Sequence, residues 1–284
     1  LTGYATSVTA NAELTSWLQR LPDTPVKARG IALGHRVAAT IIALRTGDGW
    51  DFFGTYSFVP GPGQYQTTPP FAGFVLQPGF RFARPFGLQF PAQFRPAPPP
   101  ALNTPVYATA YNEVKEFGRV NSSVRTLEQS RLAVWWMEFA ENSVNRVARE
   151  LATERKMHLW RAARMFAVLN MSLFDSYVGV WDSKFEYNHW RPWTAIREAD
   201  ADGNQATTPD PTWEPLATTP PFPEYVSAHA AGCSASFETL KRTFGDNVAF
   251  TMRTLTAPPE MPARSFTSFS AAAAECAESR VLLG

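Results

Sequence analysis

The sequence predicts an all-α fold: a helical bundle with long proline-rich connections. Three observations carry that expectation. Apolar residues recur at helical spacing in one segment after another, helix start and stop residues frame those segments, and no stretch alternates convincingly with period two. Residues 26–46 set Ile31, Val37, Ile41, Ile42 and Leu44 on a helical period and stop at Gly47. Gly30 and Gly34 lower the propensity inside that run, which suggests close packing or a bend. A short helix is expected over 107–118. Thr126-Leu-Glu-Gln129 has the form of a capping box and opens a helix expected to reach residue 140. Helices over 142–154 and 158–182 follow. The second of these is the longest and most apolar, and is expected at the centre of the core. Two more run from 227 to 244, ended by Gly245, and from 268 to about 283.

Residues 59–105 differ from the rest. Prolines are dense there, and a disordered linker is one reading. Phe71, Phe74, Phe80, Phe82, Phe86, Phe90 and Phe94 argue against it, because disordered tracts are poor in aromatics. The expectation is an ordered, helix-free strap packed over the bundle and roofing a pocket. Residues 200–226 form a second proline-rich connection, and there is no internal repeat. At 284 residues the chain can bury a large core, and 1–284 reads as one helical domain. The first residue is Leu1, and the chain reads as incomplete at both ends. A formal net charge of +1 gives no basic field for nucleic acid. Apolar runs such as 165–173 are broken by polar residues well short of a membrane span.

The chemistry concentrates in three places. Lys184 and Arg191-Pro192 lie in KFEYNHWRP, Ser227-Ala228-His229 follows a proline-rich run, and Ser279-Arg280 lies near the end. Guanidinium groups offer planar forks of N–H donors and a lysine adds a point charge. A serine hydroxyl and a backbone N–H at a helix start complete a cage for a tetrahedral oxyanion. A histidine beside such an anion can act as acid, base or nucleophile. Taken singly, each cation reads as a surface charge, Ser227 as a helix cap, and His229 as a satisfied core residue.

The order K-x6-R-P, then (P)-S-(G)-H, then S-R-x5-H resembles the three-part signature of the vanadium-dependent haloperoxidases and the type 2 phosphatidic-acid phosphatases. The surroundings DSKFEYNHWRPWTAIREAD, DPTWEPLATTPPFPEY and FTSFSAAAAECAESR resemble the bacterial haloperoxidase-like branch, and the likeness runs from about residue 25 onward. Two motif positions depart from the pattern, Val226 for proline and Ala228 for glycine. The alanine is tolerable if its φ is negative, since its N–H can still face the anion. The histidine of the third motif falls two positions past Gly284. The resemblance gives that histidine the bond to vanadium in haloperoxidases and the nucleophilic role in phosphatases.

The resemblance implies vanadate as cofactor, with phosphate able to occupy the same pocket. It implies binding by Lys184, Arg191, Ser227, Ala228, His229 and Arg280, with His229 as the acid–base residue. The implied partners are small anions with peroxide and halide, or a phosphoester, and an oligomer or larger assembly is compatible with it. Three functions are open: halide oxidation by peroxide, phosphate-ester hydrolysis, and a non-catalytic subunit with a degenerate pocket.

Cys233 lies four residues after His229, and Cys276 four before Arg280. If both ligands converge on one anion, the two helices are antiparallel and the cysteines meet one turn below. A disulfide and a pair of buried thiols are both compatible with that. A disulfide would imply an oxidising, exported setting. His189 is expected to be partly exposed, Trp190 and Trp193 to be core or pocket-wall residues, and Trp193 to stack near the anion. His35 and His158 read as structural. Asp200 to Asn204 resembles part of a calcium loop but lacks its glutamate, and reads as a solvated turn.

Overall fold

The structure, a computed structural model, describes residues 3–284, with side chains from Thr9 onward. The backbone divides into two compact units, Leu1–Asp48 and Gly49–Gly284. The first unit holds α1 (Gly3–Gln19) and α2 (Pro25–Arg45). α1 lies where the sequence reading assigned no element, because threonines and alanines there dilute the apolar period. Thr24 caps α2 by accepting from the Lys27 N–H, and Pro25 sits in the first turn, where no N–H is needed. No residue of α2 is buried.

The second unit carries the remaining helices. They are α3 (Pro105–Phe117), α4 (Leu127–Trp135), α5 (Ala140–Glu154), α6 (Leu159–Tyr187), α7 (Pro192–Arg197), α8 (Ala228–Phe244) and α9 (Phe269–Leu283). α8 packs against α5, α6 and α9, and the main core lies among them. Gly232 on α8 makes the α6 contact possible: a Cβ there would meet the Tyr177 hydroxyl at 2.9 Å. A second apolar cluster joins α3 to α7 through Tyr107, Tyr111, Trp190, Ile196 and Trp213.

Several boundaries differ from the sequence expectation, each for a local reason. The helix expected over 126–140 keeps its capping box at Thr126 but stops at Trp135, and α5 starts at Ala140. The break falls inside the apolar run WWMEFA, where no period can mark a stop. α6 continues past residue 182 and ends on Asn188, whose φ of 49° is left-handed, so Lys184 is helical. Pro192 does not end the run before it. It opens α7 with Arg191 as N-cap, which is proline's favoured place in a helix. Two strands, β1 (Phe250–Met252) and β2 (Arg264–Phe266), pair antiparallel with Phe250 opposite Phe266. At three residues each they are too short for alternation to reveal.

Residues 59–104 contain no α-helix, only 3-10 turns at Pro78–Phe82 and Pro91–Phe94, both of which pack on α6, and α3 opens at Pro105. Phe80 meets Phe174 and Trp181 edge-on, and Arg95 Nε reaches the Asp182 carboxylate at 2.7 Å. The buried carboxylate of Asp175 accepts the backbone N–H groups of Phe86, Gly87 and Leu88 at 2.6, 2.6 and 3.2 Å. Bonds to an ionised acceptor are worth more than neutral ones. Asp175→Ala is therefore expected to lower stability by about 2–4 kcal/mol and to expose the strap to trypsin at Arg81, which Phe82 follows. Urea unfolding and limited proteolysis measure the two effects.

Candidate oxyanion site

The last turns of α6 and α9, the start of α7 and the start of α8 contribute the candidate residues. Lys184 is buried, and its Nζ donates to the carbonyl oxygens of Pro223 and Glu224 at 2.7 and 2.8 Å. Arg191 is also buried. Its Nε donates to the Phe222 carbonyl at 2.6 Å and its Nη1 pairs with the Glu224 carboxylate. Arg191 Nη2 is buried without a partner. The Phe222 ring takes both cations on its faces, each 4.8 Å from the centroid.

Ser227 is the N-cap of α8, its hydroxyl accepting from the Ala230 N–H. Ala228 is the first helical residue and is not among the residues with positive φ, so alanine replaces glycine there without backbone strain. His229 follows in the first turn. Its Nε2 donates to the Met137 carbonyl at 3.3 Å and its ring stacks on Phe139. Arg280, in the last turn of α9, donates to the Trp136 carbonyl at 3.1 Å and to the hydroxyl of Ser279. The carbonyls that receive His229 and Arg280 lie just past the end of α4. The helix break missed in the sequence is thus what positions these two side chains.

The electrostatics tie the residues into one cluster. Burial first, then the charge of Arg191, holds the Lys184 ammonium well below its ordinary pKa, and Glu224 opposes this. Burial, the field of Arg280 and a smaller one from Lys184 lower His229 to about 4, against its bond to the Met137 carbonyl, so the ring is neutral near pH 7. Burial brings Arg280 down to about 10. For Glu224, burial raises the pKa, but Arg191 and Lys184 together outweigh it, and the carboxylate is ionised. Arg191 thus acts on Lys184, and Arg280 and Lys184 act on His229, so positive charges gather where an anion would relieve them.

The sequence missed two participants. Glu224 and Phe222 both lie in PPFPEY, directly before the second motif. A lone carboxylate three residues ahead of Ser227 was the available signal, obscured by attention to the cations. Tyr65 is a third neighbour. Its buried hydroxyl has no partner and is pushed up to about 12 by burial, against the pull of Arg191.

Other expectations fared unevenly. Cys233 and Cys276 are bridged, with Cα atoms 6.6 Å apart. His189 is partly buried, and its carbonyl accepts from the Glu224 N–H. His158 caps α6. Trp193 does not stack near the site: its ring lies under Arg197 and its Nε1 meets Glu214. Asp202 is buried rather than solvated, accepting from Asn204 N–H and the Thr207 hydroxyl. The strap walls a cavity of about 470 Å³ with α6, and Val226 and Ala231, which flank the second motif, complete its lining.

A family model described as the VCPO second helical-bundle domain matches residues 164–284, which contain every cation of the site and His229. That stretch resembles the second helical-bundle domain of the vanadium haloperoxidases. Vanadium chloroperoxidase of Curvularia inaequalis is 26% identical over 155 residues, 45% of this chain and 25% of that protein, so the likeness spans a quarter of the relative. The crystal structure of a bacterial vanadium-dependent iodoperoxidase superposes with TM-score 0.81 at 26% identity, covering 99% of this chain and 68% of that one. The apo-type structure of a bacterial vanadium-dependent chloroperoxidase gives 0.72 at 18% identity, covering 95% and 73%, which shows the haloperoxidase fold alone. Among the described residues, no helix is long and apolar enough to cross a membrane.

Proposed function

We propose that the site binds vanadate as a tetrahedral oxyanion and serves haloperoxidase chemistry, the oxidation of halide by hydrogen peroxide. What supports this reading is that Lys184 and Arg280 both bear on a neutral His229 at the start of α8, while buried Arg191 bears on Lys184. The donor set suits an oxyanion. Three cations and a helix start offer N–H groups, Arg191 Nη2 is buried with no acceptor, and the described residues hold no cluster of acidic or thiolate ligands for a bare metal ion. Lys184, Arg191 and Arg280 would hold the oxygens, with the Ser227 hydroxyl and the Ala228 N–H completing the cage. Vanadate, when bound, supplies the Lewis-acidic centre that activates peroxide.

His229 is neutral near pH 7, so it can accept a proton from an oxygen at the site and return it later. The three cations stabilise charge that builds on the ligand oxygens, as preorganised donors do elsewhere.

The test is peroxide-dependent bromination of a phenolic dye by the protein incubated with orthovanadate. His229→Ala is expected to lower turnover by about 10²–10³. Hydrolysis of an aryl phosphate without vanadate, in place of bromination, would move the assignment to a phosphatase. Absence of both activities would sink the catalytic reading and favour a non-catalytic subunit.

A further inference from the structure

Glu224 stands out because its charge opposes everything around it. In a site built from three cations it contributes a carboxylate, and the whole residue is woven into the cluster. Its backbone carbonyl receives Lys184 Nζ at 2.8 Å, its N–H donates to the His189 carbonyl at 2.9 Å, and its side chain pairs with Arg191 Nη1. The side chain is 36% exposed while that of Arg191 is only 8% exposed, so the carboxylate lies at the edge of the cluster and the guanidinium behind it. Arg191 is anchored independently of this pair, by Nε on the Phe222 carbonyl and by the Phe222 ring. What remains for a ligand is Nη2, which has no partner.

We propose that Glu224 is the resident counter-ion of the oxyanion pocket, a residue that weakens and charge-tunes anion binding by occupying one arm of Arg191. The inference rests on the oxyanion reading of this site. A carboxylate beside the pocket repels an incoming anion in proportion to the anion's charge. It lowers the affinity for a dianion more than for a monoanion of the same shape. A purely structural role, holding Arg191 in place, has no such dependence on ligand charge. Glutamine keeps the shape and an oxygen acceptor for Arg191 Nη1 but removes the charge, so Glu224→Gln separates the two roles.

The experiment is calorimetric titration of the full chain at pH 8 with inorganic phosphate, a tetrahedral dianion there, and with perchlorate, a tetrahedral monoanion. Glu224→Gln is expected to bind phosphate about tenfold tighter and perchlorate only about threefold tighter, the ratio that one removed charge gives for ligands of charge two and one after solvent screening. Glu214→Gln serves as the charge control. That carboxylate pairs with Arg197 and is 55% exposed, so its variant should match the wild type within about twofold.

Lys184-dependent phosphate binding that is unchanged or weaker in Glu224→Gln would overturn the inference and leave the oxyanion reading intact. Equal gains for both anions, or equal gains in the Glu214 control, would also overturn it. No phosphate binding by either protein would overturn the inference and the oxyanion reading together.

Discussion

Lys184→Met is expected to abolish oxyanion binding, with a loss of about 100-fold or more. Lys184 is the point at which the two halves of the site meet. Its charge reaches Arg191 and Glu224 on one side and His229 on the other. Its ammonium is buried among helix, proline-rich connection and the Phe222 ring, where a charge-assisted bond to an anion is least diluted by solvent. Methionine fills similar volume and removes the charge. It also strips donors from the Pro223 and Glu224 carbonyls, at about 1–3 kcal/mol each if they stay buried. Removal of a buried charge returns part of that, because the lysine's own desolvation cost disappears. The net loss of stability should be about 1–3 kcal/mol. Phosphate titration and urea unfolding on the same samples separate the two effects. A variant that is as stable as wild type and binds phosphate equally well contradicts the assignment of Lys184.

The second large effect is expected from the bridge between α8 and α9. Cys233 and Cys276 close a loop with a sequence separation of 43. Constraint of the unfolded chain by such a loop is worth about 4 kcal/mol. The bridge also acts on the site, because each cysteine lies one turn from a site residue: His229 on α8 and Arg280 on α9. The Cys276 sulfur is 3.7 Å from the His229 carbonyl, so the link and the first turn of α8 are in contact. Urea unfolding with and without a reducing thiol should show wild type losing about 4 kcal/mol on reduction. The Cys233→Ser/Cys276→Ser protein should show the lower value under both conditions, and both reduced forms should bind phosphate more weakly. Equal stability with and without thiol contradicts the bridge.

How much of this was legible depended on how local the signal was. The helical class, the capping box at Thr126 and the stop at Gly245 were readable because a helix announces itself within a few residues. The separation between α4 and α5 was not, because WWMEFA is apolar but for Glu138 and the stop goes with the packing of Trp135 and Trp136 into the core. That break decides where His229 and Arg280 find their carbonyl partners. Pro192 is the opposite case, a strong local signal whose direction the sequence does not fix. Proline can follow one helix or open the next, and only the left-handed turn at Asn188 distinguishes the two here.

Within the candidate site, the cations and His229 were singled out in the sequence because their ordered motifs resemble a family signature. Glu224, Phe222 and Tyr65 were not, because their roles come from what three-dimensional packing sets against Arg191 and Lys184. The cysteine pair was readable for a geometric reason. Two residues one turn from two converging side chains must themselves be close, and their Cα atoms are 6.6 Å apart.

The central claim is that Lys184, Arg191, Arg280 and the start of α8 enclose one tetrahedral oxyanion. A crystal structure of the protein grown with orthovanadate tests it most directly. The account predicts tetrahedral density bordered by Lys184 Nζ, Arg191 Nη2, the Arg280 guanidinium and the Ala228 N–H, with the Arg280 bond to Trp136 given up or shared. Density absent from that region at saturating vanadate, with Lys184 still bonded only to the Pro223 and Glu224 carbonyls, would contradict it.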